Sequence, residues 1–293
     1  MNRVRRNKTA IILFIIPTLI LFCTIIIVPI FMDVYYSFFK WNGMTAPEFI
    51  GADNYIELFS SKAMGFPRTI KNAFILAGLS VFIQLPISLF MAIVLARGVK
   101  WEKFFVALFF TPVLISTVVI GQLWLKMYNP QYGIINSFLR LVGLDNLCRT
   151  WLGDGRTALP AVFVPILWQY IGYHMLLLYA GVKSIPEELN EAAKIDGANS
   201  WQIARLITIP NLKPTLQVCT IFAITGSLKA FDLIYVLTGG GPAHASEVPS
   251  TLMVDMIFGR SRYGIGSTIA VFIIFLCFFF AVLIKKVFKT EVD

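Results

Sequence analysis

The sequence predicts an all-α integral membrane protein with six transmembrane helices. The chain is 57% hydrophobic and only 14% charged, whereas soluble domains carry about 25% charged residues. Six apolar runs are each long enough to cross a hydrocarbon layer of about 30 Å. Each run must be helical, because lipid offers no hydrogen-bond partner to an unpaired backbone group.

The six runs define the predicted spans. Their approximate bounds are residues 10–31, 70–96, 104–125, 158–182, 214–237 and 264–284. The first run is longer than the roughly 7–15 apolar residues of a cleaved signal peptide and lacks a small-residue cleavage site, so we interpret it as a retained span. We expect Pro86 to kink the second helix and Pro112 the third. Residues 32–67 are expected to form a loop on the outer face with short interfacial helices.

The basic residues predict the orientation of the chain. They are denser in the segments that would lie inside the cell, including the two ends of the chain: Arg3, Arg5, Arg6, Lys8, Lys285, Lys286 and Lys289. The bias of Lys and Arg towards the cytoplasm therefore predicts that both termini are cytoplasmic. The net charge of +9 is explained by this bias, and no basic stripe with interleaved aromatic residues predicts nucleic-acid binding.

The residue types that carry most enzyme chemistry are sparse. Cys23, Cys148, Cys219 and Cys277 show no paired spacing, which predicts neither a disulfide framework nor a zinc site. The two histidines, His174 and His244, are far apart in the sequence. No nucleophile–base pair and no phosphate-binding loop is present. We therefore expect no catalytic residue, no metal and no cofactor, and any ATP hydrolysis must occur in a partner.

A polar segment, residues 187–214, interrupts the apolar runs between the fourth and fifth spans. Ser184, with Glu187 three residues later, resembles a helix-start signature. Residues 187–195 are good helix formers, and Gly197 supplies the positive φ needed for a turn.

A second short helix is predicted after this turn. Asn199 or Ser200 caps its start, and it runs to about Ile207. Pro210 and Pro214 then separate it from the fifth span. A helix-turn-helix of this kind between two spans is suited to binding something outside the membrane.

The order of residues in this segment resembles the EAA loop of ABC-importer permeases. The match consists of Glu191-Ala192-Ala193, Asp196-Gly197-Ala198 and the sequence Ile-Thr-Ile-Pro at 207–210. In that family the loop contacts the ATP-hydrolysing subunits. The resemblance implies that the ATPase-docking residues are Glu191, Ala192, Ala193, Asp196, Gly197, Ala198 and Arg205.

A second resemblance points to the substrate class. The stretch FDLIYVLTGGGP at residues 231–242 resembles the LTGGGP segment of maltose-type sugar permeases. It implies a permease of a bacterial cell membrane that carries a carbohydrate, an oligosaccharide in particular. The implied partners are a second homologous permease subunit in a heterodimer, two cytoplasmic ATPase subunits, an extracytoplasmic solute-binding protein and membrane lipid.

The resemblance also implies a domain organisation. Residues 1–68 would hold the first helix and an outer loop, residues 69–284 an ABC type-1 transmembrane domain, and residues 285–293 a cytoplasmic tail.

Candidate substrate contacts lie in the fourth and fifth spans. Sugars bind by stacking on aromatic rings and by hydrogen bonds to their hydroxyl groups. The residues that could form such a path are Trp168, Tyr170, Gly172, Tyr173, Gly226, Ser227 and Lys229. The aromatic cluster could instead be packing or an interfacial belt. Lys229 and Asp232, three apart and expected on one helix face, could form a neutralising pair, or Lys229 could line the cavity.

Two other functions remain open. A permease of the same superfamily could carry glycerol phosphate or another small solute. An ion-coupled secondary transporter would show internal repeats and a charged relay at mid-membrane. The sequence contains only the Lys229/Asp232 pair and no repeat.

Overall fold

The computed structural model describes residues 8–288, with side chains from residue 12. The predicted all-α class is confirmed. Within the described residues, five helices are long and apolar enough to cross a membrane, and a sharply bent helix pair adds a sixth span if the pair counts as one. The charges predicted at residues 3–6 and 289 lie outside the described residues, as does most of the predicted tail.

The spans are composed of helical segments, some of which include a π-helical turn. The segments are Lys8–Phe22, Cys23–Ile27 and Val28–Tyr36 (first span); Phe66–Leu79, Ser80–Gln84 and Leu85–Ala96 (second); Glu102–Leu114 and Thr117–Met127 (third); Ala158–Lys183 (fourth); Lys213–Leu228 and Asp232–Thr238 (fifth); and Tyr263–Phe288 (sixth). The first helix continues to Tyr36, so the prediction of a loop from residue 32 was wrong.

The third span is broken, which corrects the prediction of a helix kinked at Pro112. Pro112 stays inside Glu102–Leu114, and the break falls at Ile115 and Ser116, which are extended (ψ 139° and 133°). The two helices meet at 95°. The turn carries Ile120 and Trp124 into the buried cluster of the fourth and fifth spans, so tertiary packing decides where the helix ends.

The second span is irregular next to its proline. A π-helical turn, Ser80–Gln84, is followed by the segment Leu85–Ala96, which carries Pro86 in its first turn. A proline inside a continuous helix removes one intrahelical hydrogen bond, and the π-helical turn lies next to that missing bond. The second span is nevertheless one long helix, Phe66–Ala96.

Shorter elements connect the spans. They are the antiparallel strands Phe39–Lys40 and Glu48–Phe49 and the helices Asp53–Ser60, Ile134–Leu141, Asp145–Leu147, Glu187–Ile195, Ser200–Ile203, Ala204–Thr208, Ile209–Asn211, Pro249–Val254 and Asp255–Gly259.

The chain forms two compact units. One comprises the described part of Met1–Met64 together with Met253–Ile274, and the other comprises Gly65–Leu252 with the described part of Phe275–Asp293. In the first unit, the buried Asn54 amide donates to the carbonyl oxygens of Ser37 and Phe39. All the candidate functional residues lie in the second unit.

The second unit has two buried apolar clusters. One includes Trp124, Phe163 and Ile234. The other includes Leu85, Met175 and Cys219, contributed by the second, fourth and fifth spans. The fourth span therefore packs in the middle of this unit.

Candidate functional site

The polar segment after the fourth span folds as a helical hairpin, Glu187–Asn211, and its turn forms as predicted. Gly197 has a φ of +82°, and its N–H donates to the Lys194 carbonyl oxygen at 3.1 Å. Ala198 N donates to the Ala193 carbonyl at 2.9 Å. This pair of bonds closes the end of the first helix.

Asn199 caps the second helix of the hairpin, as predicted. Its side-chain oxygen accepts from the N–H groups of Trp201 and Gln202, and the Gln202 side chain accepts from the Asn199 N–H in return. This reciprocal capping box satisfies donors that the first turn of a helix leaves free.

Two predicted boundaries of the hairpin were wrong. Ser184 does not cap the first helix: it ends the fourth span, and its hydroxyl donates to the Gly181 carbonyl oxygen at 2.7 Å. Pro210 does not end the second helix either. That helix continues through a π-helical turn to Asn211, and Pro210 lies directly after this turn, where it removes one hydrogen bond without ending the helix.

The hairpin exposes large apolar side chains beside the predicted docking residues. The exposed fraction is 86% for Ile195, 69% for Trp201 and 68% for Leu206. Glu191, Asp196 and Arg205 are also exposed. Apolar side chains grouped on a polar segment are typical of a protein–protein contact surface.

The second unit also contains a cavity of about 440 Å³, bounded by the second, fourth and fifth spans and by Thr117. Three buried polar atoms without a hydrogen-bond partner belong to residues that line it: Gln84 Nε2, Gln169 Oε1 and His174 Nδ1. Each of these side chains is no more than 3% exposed. Unpartnered buried groups cost free energy, and these three belong to residues at the cavity wall.

Rings and hydroxyl groups complete the lining. Tyr170, Tyr173 and Phe231 contribute aromatic rings. Ser80 Oγ and Ser227 Oγ lie 3.1 Å apart on the second and fifth spans. The cavity therefore offers both flat apolar faces and hydrogen-bonding atoms.

The break in the fifth span determines where its two charges lie. Lys229 ends the segment Lys213–Leu228, and Asp232 begins the next one. The expectation that they share a helix face was wrong, because Phe231 between them leaves the helical conformation (φ −142°, ψ −63°). Both residues line the cavity.

The structure brings together five of the seven predicted substrate-path residues. Tyr170, Tyr173, Gly226, Ser227 and Lys229 line the cavity.

The other two predicted residues contact neighbouring helices. The Trp168 ring packs edge-on against Trp124, with 5.9 Å between ring centroids. Gly172 lies against the third span: a Cβ there would be 1.9 Å from the Phe109 carbonyl oxygen.

The predicted substrate-path residues did not include Gln84, Gln169 or His174, which line the cavity. Gln84 stands alone in the apolar stretch VFIQLPI. An isolated amide in a membrane helix is the signal that could have identified it.

The glycine-rich turn after the fifth span forms a compact loop. Gly239 and Gly240 have φ values of +58° and +91°, and the Gly241–Pro242 bond is cis. The Asn72 amide of the second span donates to the carbonyl oxygens of Ala245 and Glu247. The tight turn predicted here is confirmed.

Comparison with known proteins identifies similar chains. The family model described as "Binding-protein-dependent transport system inner membrane component" matches residues 84–291. The chain is 38% identical to the probable ABC transporter permease protein YurN of Bacillus subtilis over 98% of each chain. It is 32% identical to the trehalose/maltose transport system permease protein MalF of Thermococcus litoralis, covering 96% of this chain and 94% of that one.

The fold is also similar to that of a solved structure. A chain of a bacterial ABC transporter involved in the import of the acidic polysaccharide alginate matches with a TM-score of 0.84, at 24% identity, over 100% of both chains.

Proposed function

This chain belongs to the family of binding-protein-dependent transport system inner membrane components, and we propose that it carries a carbohydrate, an oligosaccharide in particular, through the cell membrane. Relatives named for trehalose and maltose and for diacetylchitobiose support this substrate class. ATP hydrolysis belongs to partner subunits.

The observation that carries the proposal is the lining of the cavity. Its unpartnered atoms are an amide nitrogen, an amide oxygen and an imidazole nitrogen, on Gln84, Gln169 and His174. These atoms complement hydroxyl groups, which both donate and accept hydrogen bonds. The rings of Tyr170 and Tyr173 complement the apolar C–H faces of a sugar.

The hairpin supplies the second half of the mechanism. Two ATPase subunits, one on this chain and one on a homologous permease subunit, dock on the two EAA hairpins. In this chain Trp201 and Leu206 enter the docking groove and Glu191 makes a polar contact at its edge. ATP-driven closure of the ATPases moves the hairpin, and the cavity alternates between the two sides of the membrane.

This mechanism requires a defined orientation. The hairpin and both termini lie in the cytoplasm, and the glycine-rich turn at Gly239–Pro242 lies on the outer side. A solute-binding protein delivers the sugar there. The density of Lys and Arg in the segments assigned to the inside supports the arrangement.

A phosphorylated solute such as glycerol phosphate is the second candidate. Lys229 on the cavity wall favours it, since an ammonium group binds phosphate oxygens. Asp232 lines the same cavity and opposes an anion.

Transport by the reconstituted complex tests the proposal. The chain is purified with its co-expressed ATPases and second permease, inserted in liposomes and supplied with its binding protein. Uptake of a panel of labelled oligosaccharides, monosaccharides and glycerol phosphate is then measured. We expect uptake of an oligosaccharide that stops with vanadate and continues with a proton uncoupler. Uptake that stops only with the uncoupler would contradict the proposal.

A further inference from the structure

Four side chains connect the turn at residues 97–101 and the helix after it to the end of the fourth span and to the second helix of the hairpin. Glu102, directly after this turn, accepts a hydrogen bond from the Tyr179 hydroxyl. The Lys183 ammonium lies 3.0 Å from the same carboxylate, and it also lies over the Tyr179 ring, 5.6 Å from the centroid. Arg97 donates to the Ser200 carbonyl oxygen at 2.9 Å. We call Arg97, Glu102, Tyr179 and Lys183 the tie.

The tie contacts the chain on either side of the first helix of the hairpin. Tyr179 and Lys183 occupy the last turns of the fourth span, immediately before the first helix of the hairpin. Ser200 is the first residue of the second helix. Movement of the end of the fourth span, or of the second helix of the hairpin, therefore acts through direct bonds on the turn between the second and third spans or on the helix that follows it.

Stability alone gives little reason for this arrangement. The Lys183 side chain is 42% exposed and that of Glu102 is 19% exposed. Exposed ion pairs contribute only about 0–1 kcal/mol. What the shared carboxylate does provide is a fixed geometry, because Glu102 is bound by both Tyr179 and Lys183.

The helix that begins at Glu102 leads to the cavity. Glu102–Leu114 has 13 residues and is therefore about 20 Å long at 1.5 Å per residue. Near its far end the Pro112 carbonyl oxygen accepts from Gln169 Nε2 at 3.5 Å. Gln169 lines the cavity, as does Thr117, which follows the break.

We propose that Glu102 is a positioning residue that couples the hairpin to the cavity. Movement of the second hairpin helix acts on the turn at residues 97–101 through Arg97 and Ser200. Glu102 holds the start of the helix Glu102–Leu114 to the end of the fourth span, so that the two helices move together and keep the contact of Pro112 with Gln169 beside the cavity. The inference rests on the proposed function, because it assigns the route by which the ATPase acts on the substrate cavity.

The test measures sugar uptake per ATP hydrolysed in the reconstituted complex. Glu102→Gln keeps the shape and an acceptor for Tyr179 but removes the charge that holds Lys183. We expect uptake per ATP to fall about five-fold, the lower end of allosteric coupling. Tyr179→Phe should cause a similar fall. Lys100→Gln, in the same turn at an exposed position, is the matched control and should behave as the parent.

Exchanging the charges separates coupling from general damage. Glu102→Lys and Lys183→Glu should each lower uptake per ATP, and the double variant should recover most of the loss because it restores the ion pair. Equal uptake per ATP in Glu102→Gln and Lys100→Gln would overturn the inference. So would release of the ATPase subunits from Glu102→Gln on purification, since Glu102 would then act in assembly. Failure of the parent complex to use ATP at all would instead overturn the proposed function.

Discussion

The hairpin and the cavity are built in opposite ways. The hairpin takes its shape from neighbours in sequence: Gly197 closes the first helix and Asn199 opens the second, while Trp201 remains exposed. The cavity is assembled from distant segments, with Gln84, Gln169 and Ser227 contributed by three spans. A locally determined surface can move as one piece, whereas a wall shared by several spans changes shape when any of them moves.

The largest expected effect comes from breaking the hairpin turn with Gly197→Pro. Proline fixes φ near −65°, whereas Gly197 has a φ of +82° and donates its N–H to Lys194. We expect ATP-driven uptake to be lost while the chain still inserts in the membrane, which is measured by uptake and by membrane fractionation. A Cβ at Gly197 would meet no atom within 4 Å, so we attribute the expected loss to the backbone conformation and to the missing N–H.

Gly143→Pro is the matched control. Gly143 has a φ of +74°, an open Cβ position and an N–H that donates to the Arg140 carbonyl, but it lies outside the hairpin. Uptake should survive this change. Equal loss in both variants would mean that any strained turn abolishes transport.

Gly172→Ala tests the contact between the third and fourth spans. Because the added methyl group would collide with the Phe109 carbonyl oxygen, the fourth span must move away from the third. Overpacking of this kind costs about 1–3 kcal/mol, so we expect a lower melting temperature for the purified complex. Gly78→Ala, where nothing lies within 4 Å, should not lower it. An unchanged melting temperature in Gly172→Ala would show that the helices are not in tight contact.

Trp201→Ala tests the exposed face of the hairpin. The side chain is 69% exposed, so its loss should leave the stability of the chain unchanged. We expect the affinity for the ATPase subunit to fall by about 2 kcal/mol, the size of an interface hot spot, measured by titration of the ATPase onto the permease. Phe138→Ala, at a residue 61% exposed in the helix Ile134–Leu141 outside the hairpin, should not change this affinity. If the ATPase subunit binds the Trp201→Ala variant with parental affinity, Trp201 does not lie in the contact.

The smallest expected effect separates function from stability in the cavity. Gln84→Met removes an unpartnered buried amide, and this should raise stability by about 1 kcal/mol. The same change removes a bond to the sugar, so uptake at low substrate concentration should fall about five-fold. Thermal unfolding and concentration-dependent uptake measure the two effects.

Gln122→Met, at an exposed position of the third span, is the control and should change neither stability nor uptake. Parental uptake by the Gln84→Met variant would show that Gln84 does not contact the substrate.

Predictions from sequence succeeded wherever a local rule was sufficient. The turn at Gly197 and the cap at Asn199 follow from backbone geometry and side-chain reach within four residues. Ser184 shows the limit of such rules: its spacing to Glu187 matched a capping box, but its hydroxyl bonds back to Gly181 because the fourth span extends to Lys183.

Apolar run lengths and turn residues alone determined the helical class, the order of the apolar segments and the existence of the hairpin, because bilayer thickness and backbone hydrogen bonding restrict the possible structures. Tertiary structure decided where the third span breaks, which parts of the fifth span face the cavity, and that Gln84, Gln169 and His174 meet there. Those features depend on contacts between spans far apart in the chain, so no local sequence pattern predicts them.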